Sequence, residues 1–216
     1  MWNERNIYMD FLKQFKENVK KNNCKVAIRF GYEKISYGTL DSLSDRIVDL
    51  LAERGVKKNT FVGILMKRSL DVPIAILGIL KYGCGFLPID SEYPRERIKY
   101  IIEDSGIECI ICNEEWQNEM YSQCVMYQTT GNVKGTYGIP QNSYMIYTSG
   151  STGKPKGVII GYQSLNNVLE SFKKIVNIKR EDVLLAITTF SFDISILELL
   201  LPLYVGAEVV ISNRRA

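Results

Sequence analysis

The chain has 216 residues, enough for one large domain or two small ones. Its net charge is only +3, and basic residues are scattered among acidic ones, which argues against a nucleic-acid partner. The sequence contains no histidine. Ser-His-Asp and Cys-His nucleophilic machinery and histidine metal sites are therefore excluded within this chain.

The sequence predicts a cytoplasmic location without a membrane partner. The first residues are polar rather than a signal peptide, and the apolar segments at 72–80 and 194–205 are too short or too interrupted to span a bilayer. Five cysteines, an odd count, fit reduced thiols better than a disulfide framework. Cys109 and Cys112 form a CxxC, but they lie in an apolar run with no second pair, so we interpret them as small buried residues rather than a zinc or redox site.

Hydrophobic periodicity in the first half predicts helices and short strands in alternation. These are a helix over 40–51 ended by Gly55, a strand at 61–66, a helix over 72–80 with Ser69 as N-cap and Pro73 in its first turn, a strand at 86–89, a helix from Pro94 closed by Gly106, and a strand at 107–112.

The second half begins after a polar, glycine-containing stretch at 113–140, which predicts irregular structure or weak edge strands. The alternation then resumes with strands at 144–147 and 158–160, a helix at 165–176, a strand at 183–188, a helix at 194–204 and a strand at 207–211. Strands separated by helices predict an α/β fold of mostly parallel buried strands in layered sheets. The sequence ends directly after a core strand, so we expect a fragment.

The stretch between the strands at 144–147 and 158–160 carries the chemistry. From Tyr147 to Gly157 it reads Tyr-Thr-Ser-Gly-Ser-Thr-Gly-Lys-Pro-Lys-Gly. Glycines allow close backbone approach to an anion, hydroxyls and N–H groups donate to phosphate oxygens, and lysines offset their charge. It is not a Walker A loop, because Thr148 stands where that motif needs glycine. A generic Ser/Gly hairpin turn is the alternative interpretation.

This stretch resembles the signature loop of the adenylate-forming (AMP-binding) superfamily, which includes acyl-CoA synthetases, luciferases and the adenylation domains of nonribosomal peptide synthetases. Further segments match family motifs in the same order: Ile35 to Leu40; Leu80 to Asp90 with Tyr93-Pro94 and Arg97-Ile98; and Phe190 to Ser195 with Glu198, Pro202 and Gly206. The resemblance implies that residues 1–216 are the N-terminal portion of an adenylation domain, in the large N-terminal subdomain. Residues 1–140 would form a first α/β subregion, and 141–216 the phosphate loop and the start of a second.

The resemblance implies that a carboxylate attacks the α-phosphate of ATP, expelling pyrophosphate, before the acyl group passes to a thiol. The phosphate-binding residues would be Thr148, Ser149, Gly150, Ser151, Thr152, Gly153, Lys154 and Lys156, with Lys154 ranked lower. Among these, Thr152 and Lys156 would be catalytic. Such a reaction depends on positioning and charge stabilisation.

Asp193 is the candidate for binding the α-ammonium group of an amino-acid substrate, because amino-acid-activating members carry an aspartate at this place. A buried ammonium needs a carboxylate partner. Asp193 would serve equally well as an N-cap of the helix that follows, and both roles are compatible. Ile194 and Leu197 occupy positions that line the side-chain pocket in the family, which suggests a small or apolar amino acid, glycine included.

The sequence departs from the family pattern at Tyr162, where a histidine often stands. The family's adenine- and magnesium-binding motif, ribose-binding aspartate and C-terminal catalytic lysine are absent, so we expect Mg²⁺ ligands elsewhere and an inactive isolated fragment. The implied partners are ATP, an amino acid and a peptidyl carrier protein with its phosphopantetheine arm. The alternatives are a D-alanine–carrier protein ligase, an acyl- or aryl-CoA ligase, and a non-catalytic truncated module.

Overall fold

The computed structural model describes residues 10–112, 124–126, 134–149 and 154–212. The described helices are α1 (Phe11–Asn22), α2 (Tyr37–Glu53), α3 (Asp71–Tyr82), α4 (Arg95–Ser105), α5 (Tyr162–Val176) and α6 (Asp193–Val205). The described strands are β1 (Val26–Phe30), β2 (Glu33–Ser36), β3 (Phe61–Met66), β4 (Gly85–Asp90), β5 (Ile110–Cys112), β6 (Cys124–Met126), β7 (Asn142–Thr148), β8 (Lys156–Gly161), β9 (Val183–Ala186) and β10 (Glu208–Ile211).

The strands form a four-stranded sheet in the order β2-β1-β10-β9 and a six-stranded sheet in the order β6-β5-β3-β4-β7-β8. Every described pairing is parallel except β1 with β2 and β7 with β8, which are antiparallel. The predicted α/β class with mostly parallel strands is therefore confirmed. Each sheet draws strands from both sides of residue 140, so a boundary there follows the chain order and not the sheets.

Helix α3 is the central element of the larger apolar cluster, and all of its residues from Val72 to Tyr82 are buried. Its contact with α2 is close at Gly78, where an added Cβ would lie 2.3 Å from the Cβ of Ile47. Lys81 is nevertheless buried at the end of this helix, with its side chain only 5% exposed. Its ammonium group donates to Asp41, Ser44 and Asp45 of α2, so the buried charge is neutralised at the interface between the helices.

Most predicted elements are confirmed within a few residues, but some differ. The strand predicted at 107–112 is regular only from Ile110, and helix α3 takes Leu70 as its N-cap instead of Ser69. The Ser69 hydroxyl still accepts the N–H of Asp71 at 3.2 Å, so the prediction is wrong by one residue. The prediction contained no elements at α1, β1 and β2. Cys109 and Cys112 are buried, as predicted.

Within the described ranges, none of the helices combines the length and the apolarity that crossing a bilayer would need. The same ranges contain no cluster of three or more Cys, Asp or Glu side chains arranged to hold a metal ion.

Candidate functional site

The predicted phosphate loop connects β7 and β8 along the chain, and these two strands pair as an antiparallel hairpin. Tyr147 is paired with Gly157 and Thr148 with Lys156, so the two stems are held in fixed antiparallel register. Gly157 lies close to two side chains of the first stem, since an added Cβ would lie 2.9 Å from Met145 Sδ and 3.2 Å from the ring of Tyr147. The ring of Tyr147 thus lies against the backbone of the opposite stem.

The structure describes only some of the predicted phosphate-binding residues. Thr148 ends the first stem and Ser149 follows it. Lys154 precedes the second stem and Lys156 begins it, and all four side chains are exposed. Gly150, Ser151, Thr152 and Gly153 lie outside the described residues, so their predicted roles stay predictions.

A cavity of about 810 Å³ lies between the end of β7 and the start of α6. Thr148 and Ser149 line it from the hairpin, and Asp193 lines it from α6. The fold thus brings the start of the predicted phosphate loop and the predicted ammonium-binding carboxylate to one cavity. Lys154 and Lys156 are not among its described lining residues.

Asp193 is the first residue of α6, whose N-cap is Phe192. The alternative in which Asp193 is the N-cap is therefore wrong by one residue, although its Oδ1 accepts the N–H of Ile194 at 2.8 Å. A carboxylate in the first turn interacts favourably with the helix dipole. Burial, and then the charge of Asp193, raise the pKa of the Tyr144 hydroxyl, so this cavity wall holds a neutral phenol beside a carboxylate.

The two residues predicted to line a side-chain pocket are not brought to this cavity. Ile194 is 57% exposed, and Leu197 is half-buried against the larger apolar cluster. Among the described residues that line the cavity, apolar contact comes instead from Ile146, Val158, Ile160 and Phe192. The strands β7 and β8 therefore contribute apolar surface that the helical spacing after Asp193 did not indicate.

Tyr93 and Arg97 also line the cavity. Both belong to a sequence motif described above, but no role was predicted for either. The Tyr93 hydroxyl donates to Ser191 Oγ at 2.8 Å and so connects the residues before α4 to those before α6. The guanidinium of Arg97 lies 3.9 Å from the centre of the Tyr93 ring, and its Nε is buried without a hydrogen-bond partner among the described residues. In the sequence, the pairs Tyr93-Pro94 and Arg97-Ile98, which match the second family motif, could have indicated these two residues.

The segment before α6 is held by Glu198, one helical turn inside that helix. Its Oε2 accepts the N–H groups of Ile187 at 3.0 Å and Thr188 at 2.9 Å, and its Oε1 accepts the Thr188 hydroxyl at 2.8 Å. On the other side, Arg68 donates to the carbonyl oxygens of Thr188 and Ser212. These bonds fix the segment that carries Ser191 and Asp193 into the cavity.

Known proteins are similar to this chain over most of its length. The family described as AMP-binding enzyme matches residues 15–216. Bacitracin synthase 3 of Bacillus licheniformis is 37% identical over 205 residues, which are 91% of this chain and 3% of that protein.

Solved structures give the same result. Holo-AB3403, a four-domain nonribosomal peptide synthetase bound to AMP and glycine, matches with a TM-score of 0.83 and 33% identity, over 98% of this chain and 16% of that chain. FmoA3, a nonribosomal peptide synthetase in its AMPPNP-bound form, matches with a TM-score of 0.85 and 26% identity, over 95% of this chain and 23% of that chain. The chain thus spans less than a quarter of each of these three proteins.

Proposed function

The chain belongs to the AMP-binding enzyme family, and from this premise we propose that it forms part of a unit that activates an amino acid with ATP. In this proposal a carboxylate oxygen of the amino acid attacks the α-phosphorus of ATP. As the new oxygen–phosphorus bond forms, the bond from the α-phosphorus to the oxygen that bridges to the β-phosphate breaks, and pyrophosphate leaves. The phosphopantetheine thiol of a peptidyl carrier protein then attacks the aminoacyl carbonyl carbon, the bond from that carbon to the phosphate oxygen breaks, AMP leaves, and the thiol proton is released to solvent. The similarity to nonribosomal peptide synthetases supports this order of events.

One observation carries the proposal: Thr148 and Ser149 share a cavity with Asp193. The hydroxyls and N–H groups at the hairpin can donate to phosphate oxygens, and Lys156 at the start of β8 can offset their charge. The carboxylate of Asp193 can accept hydrogen bonds from an α-ammonium group. With the phosphates held at the hairpin and the ammonium group held at α6, the substrate carboxylate is oriented toward the α-phosphate. Catalysis then depends mainly on this positioning of the two reactants.

The substrate class follows from the charges on the cavity wall. Asp90, Glu92 and Asp193 are carboxylates, and Arg97 is the cation among the described lining residues. An excess of carboxylates favours a substrate that carries an ammonium group over a fatty or aryl acid, whose only charge is negative. AB3403, which was solved with AMP and glycine, lends support to this choice. Mg²⁺ accompanies ATP in the proposal, and the described residues contain no ready cluster for it.

The test is ATP–pyrophosphate exchange by the full natural polypeptide, with each amino acid, D-alanine, and a set of fatty and aryl acids as substrates. The proposal predicts exchange with one or a few L-amino acids or glycine. Exchange with D-alanine alone would indicate a carrier protein ligase, and exchange with fatty or aryl acids alone would refute amino-acid activation. No exchange with any acid would leave the non-catalytic interpretation.

A matched pair of lysine variants tests the hairpin in the same assay. Lys156→Ala removes the cation at the loop, and we expect its rate to fall by about 100-fold or more, because a cation that stabilises phosphate charge is worth several kcal/mol in the transition state. Lys20→Ala removes an exposed lysine of α1, 70% accessible and paired with Glu17, and should leave the rate unchanged. Equal rates in the two variants would contradict the assignment of Lys156.

A further inference from the structure

Helix α4 makes polar contacts with both stems of the β7–β8 hairpin. On the first stem, the hydroxyl of Tyr147 donates to Asp104 Oδ2 at 2.7 Å. Tyr147 is only 8% exposed, so this phenol needs a partner inside the protein and finds it in the carboxylate. A hydrogen bond to an ionised acceptor is about twice as strong as one between neutral groups.

On the second stem, Tyr100 provides the contact. Its hydroxyl donates to the carbonyl oxygen of Pro155 at 3.1 Å, immediately before Lys156, the first residue of β8. Tyr100 lies one helical turn before Asp104, and its hydroxyl is also 3.4 Å from Asp104 Oδ1. Because a phenol has a single proton, the nearer carbonyl is its main acceptor, and the carboxylate is a second acceptor for the same proton.

The two phenols stay protonated over the physiological pH range. Burial raises the pKa of Tyr147, and the hydrogen bond to Asp104 raises it further. Burial and then the charge of Asp104 also raise the pKa of Tyr100. Both groups therefore remain donors, and the contacts of α4 with the two stems persist wherever the enzyme works.

The residues next to these contacts are the described phosphate-binding candidates. Thr148 follows Tyr147, and Lys156 follows Pro155, and the two are partners in the hairpin register. The geometry points to Tyr100, Asp104 and Tyr147 as positioning residues that hold Thr148 and Lys156 at the separation a polyphosphate requires. We call these three residues the α4 clamp; the inference rests on the proposed function and extends it to residues that do not touch the substrate.

The clamp is separable from the packing of the fold. The ring of Tyr147 belongs to an apolar cluster with Ile98, Ile101 and Ile102 of α4. Replacing the phenol by phenylalanine keeps that ring and its contact with Gly157, while it removes the bond to Asp104. Loss of the hydroxyl should therefore loosen the stem without unfolding the protein, and its effect should fall on ATP more than on the amino acid.

Three tyrosine variants of the full natural polypeptide test the inference. Tyr147→Phe and Tyr100→Phe remove the two clamp bonds, and Tyr82→Phe is the matched control, because its hydroxyl donates to the carbonyl of Val56 at 2.6 Å, away from the hairpin. In pyrophosphate exchange we expect KM for magnesium-ATP to rise about tenfold in each clamp variant, with KM for the amino acid changed by less than about twofold. The control should match the wild type in both constants.

Two Asp104 variants distinguish loss of the hydrogen bond to Tyr147 from loss of folding. Asp104→Asn keeps an oxygen that accepts from Tyr147, whereas Asp104→Leu keeps none. The inference predicts that the asparagine variant retains most of the ATP affinity and that the leucine variant does not. Equal ATP constants in these two variants, or a Tyr147→Phe variant that matches Tyr82→Phe, would overturn it. So would equal rises in KM for both substrates.

Direct titration with magnesium-ATP separates this inference from the proposed function. If the wild type binds ATP but exchanges pyrophosphate with no amino acid, amino-acid activation fails, and the clamp is still judged by the ATP dissociation constants of the variants. If the wild type exchanges normally and the variants bind ATP as the control does, the clamp alone fails.

Discussion

Replacing Glu198 by alanine removes the side chain that holds the segment before α6. The carboxylate accepts three hydrogen bonds, from the N–H groups of Ile187 and Thr188 and from the Thr188 hydroxyl. The bond to Ile187 is exposed, so water replaces it at little cost, and the two bonds to Thr188 are partly buried. At about 1.5 kcal/mol for each bond to a charged group, the loss should be about 3 kcal/mol of unfolding free energy.

Glu198→Gln gives a graded comparison. The amide oxygen can accept both N–H groups, and the amide nitrogen can donate to the Thr188 hydroxyl, which rotates to accept. All partners are then satisfied by neutral bonds, so the cost should be only about 1 kcal/mol. Glu103→Ala is the control, because that carboxylate is 65% exposed and its Lys99 partner is 3.9 Å away, which makes it worth less than about 0.5 kcal/mol.

The assay is urea denaturation followed by circular dichroism, together with KM for the amino acid in pyrophosphate exchange. Because the segment held by Glu198 leads into Asp193, the alanine variant should also raise KM for the amino acid, and the glutamine variant should leave it near the wild-type value. If alanine and glutamine cost the same free energy, or if both match Glu103→Ala, the reasoning from these bonds is wrong.

Asp193→Asn should raise KM for the amino acid roughly thirtyfold with KM for ATP unchanged, since a hydrogen bond to a charged group is worth about 2 kcal/mol; an equal effect on both constants would count against the ammonium role. Lys81→Met should destabilise by about 3 kcal/mol in urea, because it leaves Asp41 and Asp45 without their buried cation, whereas exposed Lys20→Met should not.

A fourth prediction concerns the stability of the protein in acid, and it follows from Asp41. Burial opposes ionisation of this carboxyl, but hydrogen bonds from Lys16 and Lys81 and their charges outweigh it and leave its pKa below the ordinary value. Its stabilisation is therefore complete above about pH 4, the unfolded pKa, and is lost as pH falls through the folded pKa. Thermal melting from pH 6 to pH 2 should show a smaller decline for Asp41→Asn than for the wild type; parallel curves would contradict this.

The sequence predicted the elements of the fold better than their pairing. Periodicity identifies α2, α3 and β3 because their apolar residues follow helical or continuous patterns. It missed β1, which is only five residues long and contains Arg29, and β2, in which three of the four residues are polar. Nothing local indicates that β1 joins β10, because the partner lies far along the chain and the pairing depends on the packing of α1, α2 and α6.

In the candidate site, too, the sequence predicted some residues but not the contacts between elements. The resemblance to the family motifs predicted Thr148, Ser149 and Asp193 as site residues, and the fold brings these three to one cavity. The resemblance implied that Ile194 and Leu197 line a side-chain pocket. In the structure Ile194 is exposed and Leu197 packs against the larger apolar cluster, and their role in such a pocket stays a prediction. The contacts of Asp104 with both tyrosines depend on how α4 packs against the hairpin, which a sequence pattern does not contain.

The parallel pairing of β1 with β10 has a consequence for biosynthesis. Arg29 of β1 pairs in register with Val210 of β10 and forms an ion pair with Glu208, two positions earlier in β10 and 179 positions away along the chain. At a synthesis rate of about 5 to 20 residues per second, β1 leaves the ribosome roughly 10 to 35 s before its partner strand. Among the described strands, β2 is the partner of β1 that is made in that interval, and the edge of β1 that later pairs with β10 is open to chaperones and to mispairing with other nascent chains. The six-stranded sheet joins β3, β4 and β5 within a shorter span, so it can close first and present a surface on which the second sheet is completed.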